Sequence, residues 1–204
     1  MKQQNKVKNK KYLSIGNFSY QMEDKFTINE QIILEIIYKY PSQSHSAREL
    51  ARITTLSHPT VLEALAKFKK LGIVKKQVQK NKSGIGKNIF WEADLASERY
   101  RAYKKISNMQ KVCLSELIET IASQTSPNTI VLFGSYSRGE DAEYSDIDLF
   151  VQSTEKEINL KHFEKKLGRK INIMFESDIK NVKKELLNNI INGIVLYGYL
   201  EVFK

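Results

Sequence analysis

Cysteine, proline and histidine are scarce in this 204-residue chain: there is one cysteine, and there are three of each of the other two. No apolar run approaches the roughly 20 residues that a membrane-spanning helix needs. The lone Cys113 excludes an intramolecular disulfide, and its helical pattern with Leu114 and Leu117 predicts a buried thiol rather than a nucleophile. His45 and His58 stand at helix entries and His162 in a lysine-rich helix. None has metal-ligand spacing, so all three read as ordinary surface residues. The basic N-terminus lacks the apolar stretch of roughly 7–15 residues that a secretory signal requires, which makes the cytoplasm the expected location and a membrane an unexpected partner. There is no internal repeat. What is present, 41% hydrophobic and 10% aromatic residues, suits a folded chain long enough for two small domains.

Charge divides the chain. Residues 1–95 carry a net +9, residues 96–126 a net +2 and residues 127–204 a net −1. A basic first half suggests a surface facing a polyanion, the plain alternative being a solvated lysine-rich face. Residues 1–25, rich in Lys, Gln and Asn, read as a mobile arm.

Residues 26–95 show an ordered succession of elements. "TINEQIILEIIYKYP" spaces Ile28, Ile32, Ile33, Ile36 and Ile37 as a helix capped by Thr27 and closed by Pro41. Ser46 and Glu49 form a capping box for a second helix. Ser57 caps a third, which runs through Val61, Leu62, Leu65 and Phe68 to Gly72. "IVKKQVQK", "NKSGIGK" and "NIFWEAD" then read as strand, turn and strand. Three helices and a basic hairpin, with "ARELARITTLSHPTVLEALAKFKKLGIV" inside, resemble the winged helix-turn-helix family of DNA-binding domains. The resemblance implies a duplex DNA partner, with Ser57, His58, Thr60 and Lys67 of the third helix nearest the major groove and Lys75, Lys76, Lys80, Lys82 and Lys87 supporting from the wing. A winged helix used for protein contacts is the alternative. Residues 96–126, without Gly or Pro, predict one long connecting helix that packs between the domains or pairs with a second copy in a homodimer.

In "VLFGSYSRGEDAEYSDIDLFV", residues 131–151, an apolar run halts at Gly134-Ser135, and Asp146 and Asp148 then fall inside a second apolar run. Two carboxylates two residues apart on a strand share a face, repel each other and cost solvation unless a cation lies between them. Hard oxygen ligands suit Mg²⁺ or Mn²⁺, which reach proteins together with substrate phosphates. Gly134 permits close approach of a phosphate, and the Ser135 hydroxyl and N–H can donate to it.

Gly-Ser, ten residues, then Asp-x-Asp, each bounded by apolar strands, resembles the nucleotidyltransferases of the DNA polymerase β superfamily, particularly the minimal type found as stand-alone domains, antitoxins and antibiotic-modifying enzymes. "LGRKINIMF" looks like the family's third core strand and "INGIVLYG" like its closing segment. The resemblance implies an α+β chain: a winged helix-turn-helix, a connecting helix, and over residues 127–204 an α/β nucleotidyltransferase domain with a mixed sheet. It also implies a nucleoside triphosphate substrate, here taken as ATP, with Gly134 and Ser135 on the phosphates and Asp146 and Asp148 on the metals. Arg138 either steadies the phosphates or pairs with a nearby acid. The family's third carboxylate falls at Asn172, whose amide offers no negative charge and cannot accept a proton. Glu176, four residues along the same face, is displaced by roughly 13 Å. Two readings therefore stand: a metal-dependent transferase with a DNA-binding domain and a possible protein acceptor, or a nucleotide-sensing transcriptional regulator that turns nucleotide over weakly or not at all.

Overall fold

A computed structural model describes residues 26–80 and 87–202, with the backbone of two short paired strands, β1 (Ser14–Ile15) and β2 (Phe18–Ser19). The remaining arm residues and Lys82 of the wing tip lie outside the described residues, as does the side chain of Lys80.

The first unit has the predicted order: α1 (Ile28–Lys39), α2 (Ala47–Thr54), α3 (His58–Lys70), then the antiparallel pair β3 (Val74–Lys80) and β4 (Lys87–Ala93). Thr27 and Glu30 form a reciprocal capping box on α1, as do Ser46 and Glu49 on α2, so both helices start where their first backbone donors find side-chain acceptors. Ile33, Leu50, Leu65 and Phe68 pack into one core with Ile73 and Trp91 of the hairpin. This is the winged helix-turn-helix arrangement.

Residues 96–126 form two helices rather than one. After α4 (Glu98–Cys113) the chain turns through Glu116, at φ 69°, and starts α5 (Leu117–Thr125). The Ser115 hydroxyl donates to the Val112 carbonyl and accepts from the Leu117 N–H, holding the break. The cause is tertiary, because Leu117, Ile118 and Ile121 must point into the sheet of the second unit, which a straight helix could not achieve. Cys113, one residue past Val112 of the buried face of α4, is exposed, correcting the buried thiol expected from its helical pattern. His45 also departs from expectation: it is 3% exposed, paired through its backbone with Trp91 at the root of the wing.

The second unit is a four-stranded mixed sheet in the order β7-β6-β5-β8, from β5 (Thr129–Phe133), β6 (Ile147–Val151), β7 (Ile171–Phe175) and β8 (Ile194–Gly198). β5 lies antiparallel to β6 and β8, and β6 parallel to β7. Helix α6 (Gly134–Arg138) follows β5, α7 (Lys161–Leu167) joins β6 to β7, and α8 (Lys184–Ile191) precedes β8. One sheet face packs Leu132, Ile147 and Leu149 against α5 and α7; the other packs Val131 and Phe150 against Ile190 of α8. Helix α4 belongs to both units, burying Tyr100 in the first core and Val112 in the second. Among the described residues no helix is long and apolar enough to cross a membrane.

Candidate active site

The register of three strands assembles the site. Phe133, the last residue of β5, lies opposite Asp148, and Asp148 lies beside Asn172 across the parallel β6–β7 pair. Because side chains alternate along β6, Asp148 faces away from the layer that buries Ile147 and Leu149, and Asp146 precedes it by one full strand period. Both carboxylates meet one group: the Asn172 side-chain N–H₂ donates to Asp146 Oδ2 at 3.1 Å and to Asp148 Oδ1 at 3.2 Å. That pair of donors offsets part of the repulsion between the acids. Asn172 thus bridges the two aspartates from the neighbouring strand.

Gly134 bounds the site on the other side. It has φ +75°, and a Cβ there would come 2.5 Å from Asp148 Oδ2, so any side chain would fill the space in front of the carboxylate. Left-handed backbone and close approach both require glycine at this position. Ser135 is half-buried in the next position. Arg138 Nε donates to Glu140 Oε2 at 2.7 Å on the surface. Glu176 turns away, accepting from the Asp178 N–H and the Asn181 amide; the backbone N–H of Asp178 is the main cause that holds its carboxyl below the ordinary range.

The pattern reading missed Asp141. It is 2% exposed, and its carboxylate accepts from Asn108 Nδ2 at 2.7 Å and Arg169 at 3.2 Å and pairs with Lys104 Nζ at 3.2 Å. Lys104 also donates to the Asp141 carbonyl, and Arg169 to the carbonyls of Ala142 and Glu143. Burial pulls the Lys104 ammonium below its usual range against the attraction of Asp141, and burial pushes the Tyr136 phenol above its own. Gly139, at φ +70°, lets the chain lie against α4, since a Cβ would meet the Arg101 carbonyl at 2.3 Å. The loop that delivers Asp146 is therefore clamped between α4 and the segment preceding β7. An acid in a polar loop carries no periodic signal, and the one hint of it is that Lys104 and Asn108 fall on the buried face of α4 between Tyr100 and Val112.

Of the residues expected to face DNA, Ser57 caps α3, accepting from the Thr60 N–H at 3.3 Å, and His58 is exposed beside it. Lys67 instead reaches back to Glu30 of α1 at 2.8 Å and lies over the Phe26 ring. On the wing, Lys75 pairs with Glu92 at 3.0 Å, Lys76 lies over the Trp91 ring, and Lys87 is exposed.

Asp146 and Asp148 offer hard oxygens in a partly open cradle that glycine keeps clear, a donor set that fits one divalent cation shared with phosphate oxygens and water. Among the described residues no group of three or more His, Cys, Asp or Glu side chains is placed to hold a metal alone. The chain belongs to the nucleotidyltransferase family described as polymerase beta, nucleotidyltransferase, whose model matches residues 115–201. It is similar to two proteins of Methanocaldococcus jannaschii named as candidate protein adenylyltransferases. One, MJ1379, is 37% identical over 73 residues, which are 31% of this chain and 73% of that protein. The other, MJ0128, is 38% identical over 71 residues, 31% of this chain and 72% of that protein. Among solved structures, a candidate transcriptional regulator of Methanosarcina mazei Go1 overlays with TM-score 0.35 at 14% identity, covering 53% of this chain and 96% of that one. Lactococcus lactis ZitR, in a mutant form, overlays with TM-score 0.36 at 16% identity, covering 54% and 68%.

Proposed function

We propose that the chain is a metal-dependent nucleotidyltransferase that moves a nucleoside monophosphate from a triphosphate, ATP by preference, to an acceptor hydroxyl, while its N-terminal unit holds it on duplex DNA. The observation that carries this reading is the convergence of Asp146 and Asp148 in front of Gly134. The two aspartates would hold Mg²⁺ or Mn²⁺, which when bound screens the triphosphate and stabilises charge on the attacking and leaving oxygens. Gly134 clears the approach of the phosphates and Ser135 donates to them, while the clamp on Asp141 keeps Asp146 in place. The relatives' names support an adenylyl donor and a protein acceptor.

A second reading is favoured by Asn172, whose N–H₂ bridges the aspartates and supplies no base: a regulator that senses nucleotide and transfers it little. Incubation with each of the four triphosphates, labelled at the α-phosphate, separates them. Transfer to the chain itself or to another macromolecule supports the enzyme. Tight binding without transfer, coupled to altered DNA affinity, supports the regulator.

A further inference from the structure

Helix α3 buries Val61, Ala64, Leu65 and Phe68, so its opposite side is the stripe Pro59, Glu63, Ala66 and Lys70, spaced by four, three and four residues and exposed at every position. Exposed Leu62 flanks it. Thr60 and Lys67 lie off this stripe and are engaged: the Thr60 hydroxyl shares a 2.8 Å hydrogen bond with that of Ser57, and Lys67 is tied to Glu30. Pro59, Leu62 and Ala66 have no polar side-chain atom. Between His58 at the start of the helix and Lys69-Lys70 at its end, the group left to hydrogen-bond outward is the carboxylate of Glu63. It makes no hydrogen bond or ion pair among the described residues.

An acid at the centre of that stripe is out of keeping with its surroundings. Residues 1–95 carry a net +9, and a surface that meets duplex DNA through phosphates loses affinity for every carboxylate it presents. We propose that Glu63 is a base-reading residue: its carboxylate accepts from the N4 amino group of one cytosine in the major groove and so sets the sequence preference of the winged helix. The proposal rests on the duplex-DNA reading above and deepens it. The chemistry of the base edges selects cytosine. Guanine presents the acceptors N7 and O6, and thymine the acceptor O4 beside a methyl, so both repel a carboxylate. Adenine sets the acceptor N7 beside its N6 donor, a pair that an amide matches and a carboxylate does not, whereas cytosine offers its N4 donor without an acceptor of its own alongside. Glu63 stands in the second turn of α3, within the stretch by which a recognition helix reads base edges, and Lys69 and Lys70 further along are left for phosphates.

The test selects binding sites for the full chain from a random duplex library and measures affinities by fluorescence anisotropy at fixed salt. Wild-type sites should share one invariant cytosine, and exchanging that base pair should weaken binding about tenfold or more, as the loss of a good side-chain contact to a base does. Glu63→Gln should move the preference at that position to adenine, whose N6 and N7 an amide matches. Glu63→Ala should level the four base pairs there and tighten binding to random duplex, because a repelled charge is gone. Both variants, at an exposed helix position and with similar helix propensity, should melt with the wild type, which marks the shift as one of recognition. Wild-type sites without a fixed cytosine, or a cytosine preference that survives Glu63→Ala, overturn the assignment while leaving DNA binding in place. Absence of binding to any duplex at low salt, by a chain that circular dichroism shows to be folded, removes the DNA reading and this inference with it before any variant is made.

Discussion

Gly134 and Asp148 share one packed contact: a Cβ at 134 would lie 2.5 Å from Oδ2 of the aspartate, on a backbone at φ +75°. Gly134→Ala therefore forces a left-handed alanine, costing roughly 1–2 kcal/mol, and pushes the carboxylate aside. We expect Mg²⁺–ATP affinity to fall at least tenfold by calorimetry, a loss of about 1.4 kcal/mol, with DNA binding by the N-terminal unit unchanged. An alanine variant that binds nucleotide normally would show that this glycine guards no ligand.

Asn172 supplies two N–H bonds where a third carboxylate is expected. Asn172→Asp should raise nucleotide transfer at least about tenfold, general-base catalysis being worth roughly 10²–10⁴. It should also lower the melting temperature in chelator, where three acids now repel, and regain it with Mg²⁺. A wild-type chain that is already fast, and slowed by the substitution, places the base elsewhere.

Asp141 neutralises a lysine that is 1% exposed. Asp141→Asn leaves that cation buried without its carboxylate, and breaking one side of such a pair costs about 3–5 kcal/mol, read as a large drop in denaturant midpoint. Adding Lys104→Met should recover part of it. Because burial lowers the Lys104 pKa, the folded chain binds fewer protons than the unfolded one between that lowered value and the ordinary lysine value. Stability should therefore rise with pH across this window, and Lys104→Met should flatten the rise.

The winged helix should bind duplex DNA with affinity that falls steeply with salt. Lys76→Ala and Lys87→Ala, removing exposed wing cations, should weaken binding to all sequences and flatten the salt slope, whereas His58→Ala at the start of α3 should shift sequence preference in a binding-site selection. Lys67→Ala should act mainly on stability, since its ammonium is tied to Glu30.

Most of this architecture is legible in the sequence because it is written in short-range signals. Capping boxes at Thr27 and Ser46 and the apolar spacing of α1 and α3 announce the helices, and Gly134-Ser135 with Asp146-x-Asp148 announces the acid pair. The β6–β7 register puts Asn172 beside Asp148. What was not legible depends on long-range packing. No local feature of residues 96–126 marks the break at Glu116, which exists because α5 is drawn onto the sheet. The ion pair of Lys67 with Glu30 of α1 likewise joins residues far apart in the sequence. The Asp141 cluster joins residues 28 to 37 positions apart, beyond any periodic pattern.

Calorimetry of ATP binding in Mg²⁺ and in chelator, on the wild type and on Asp146→Asn and Asp148→Asn, addresses the central claim most directly. The acid pair as a cation-sharing phosphate site predicts binding by the wild type in Mg²⁺ alone and its loss in both variants. Equal affinity in chelator, or binding retained by both variants, would contradict it.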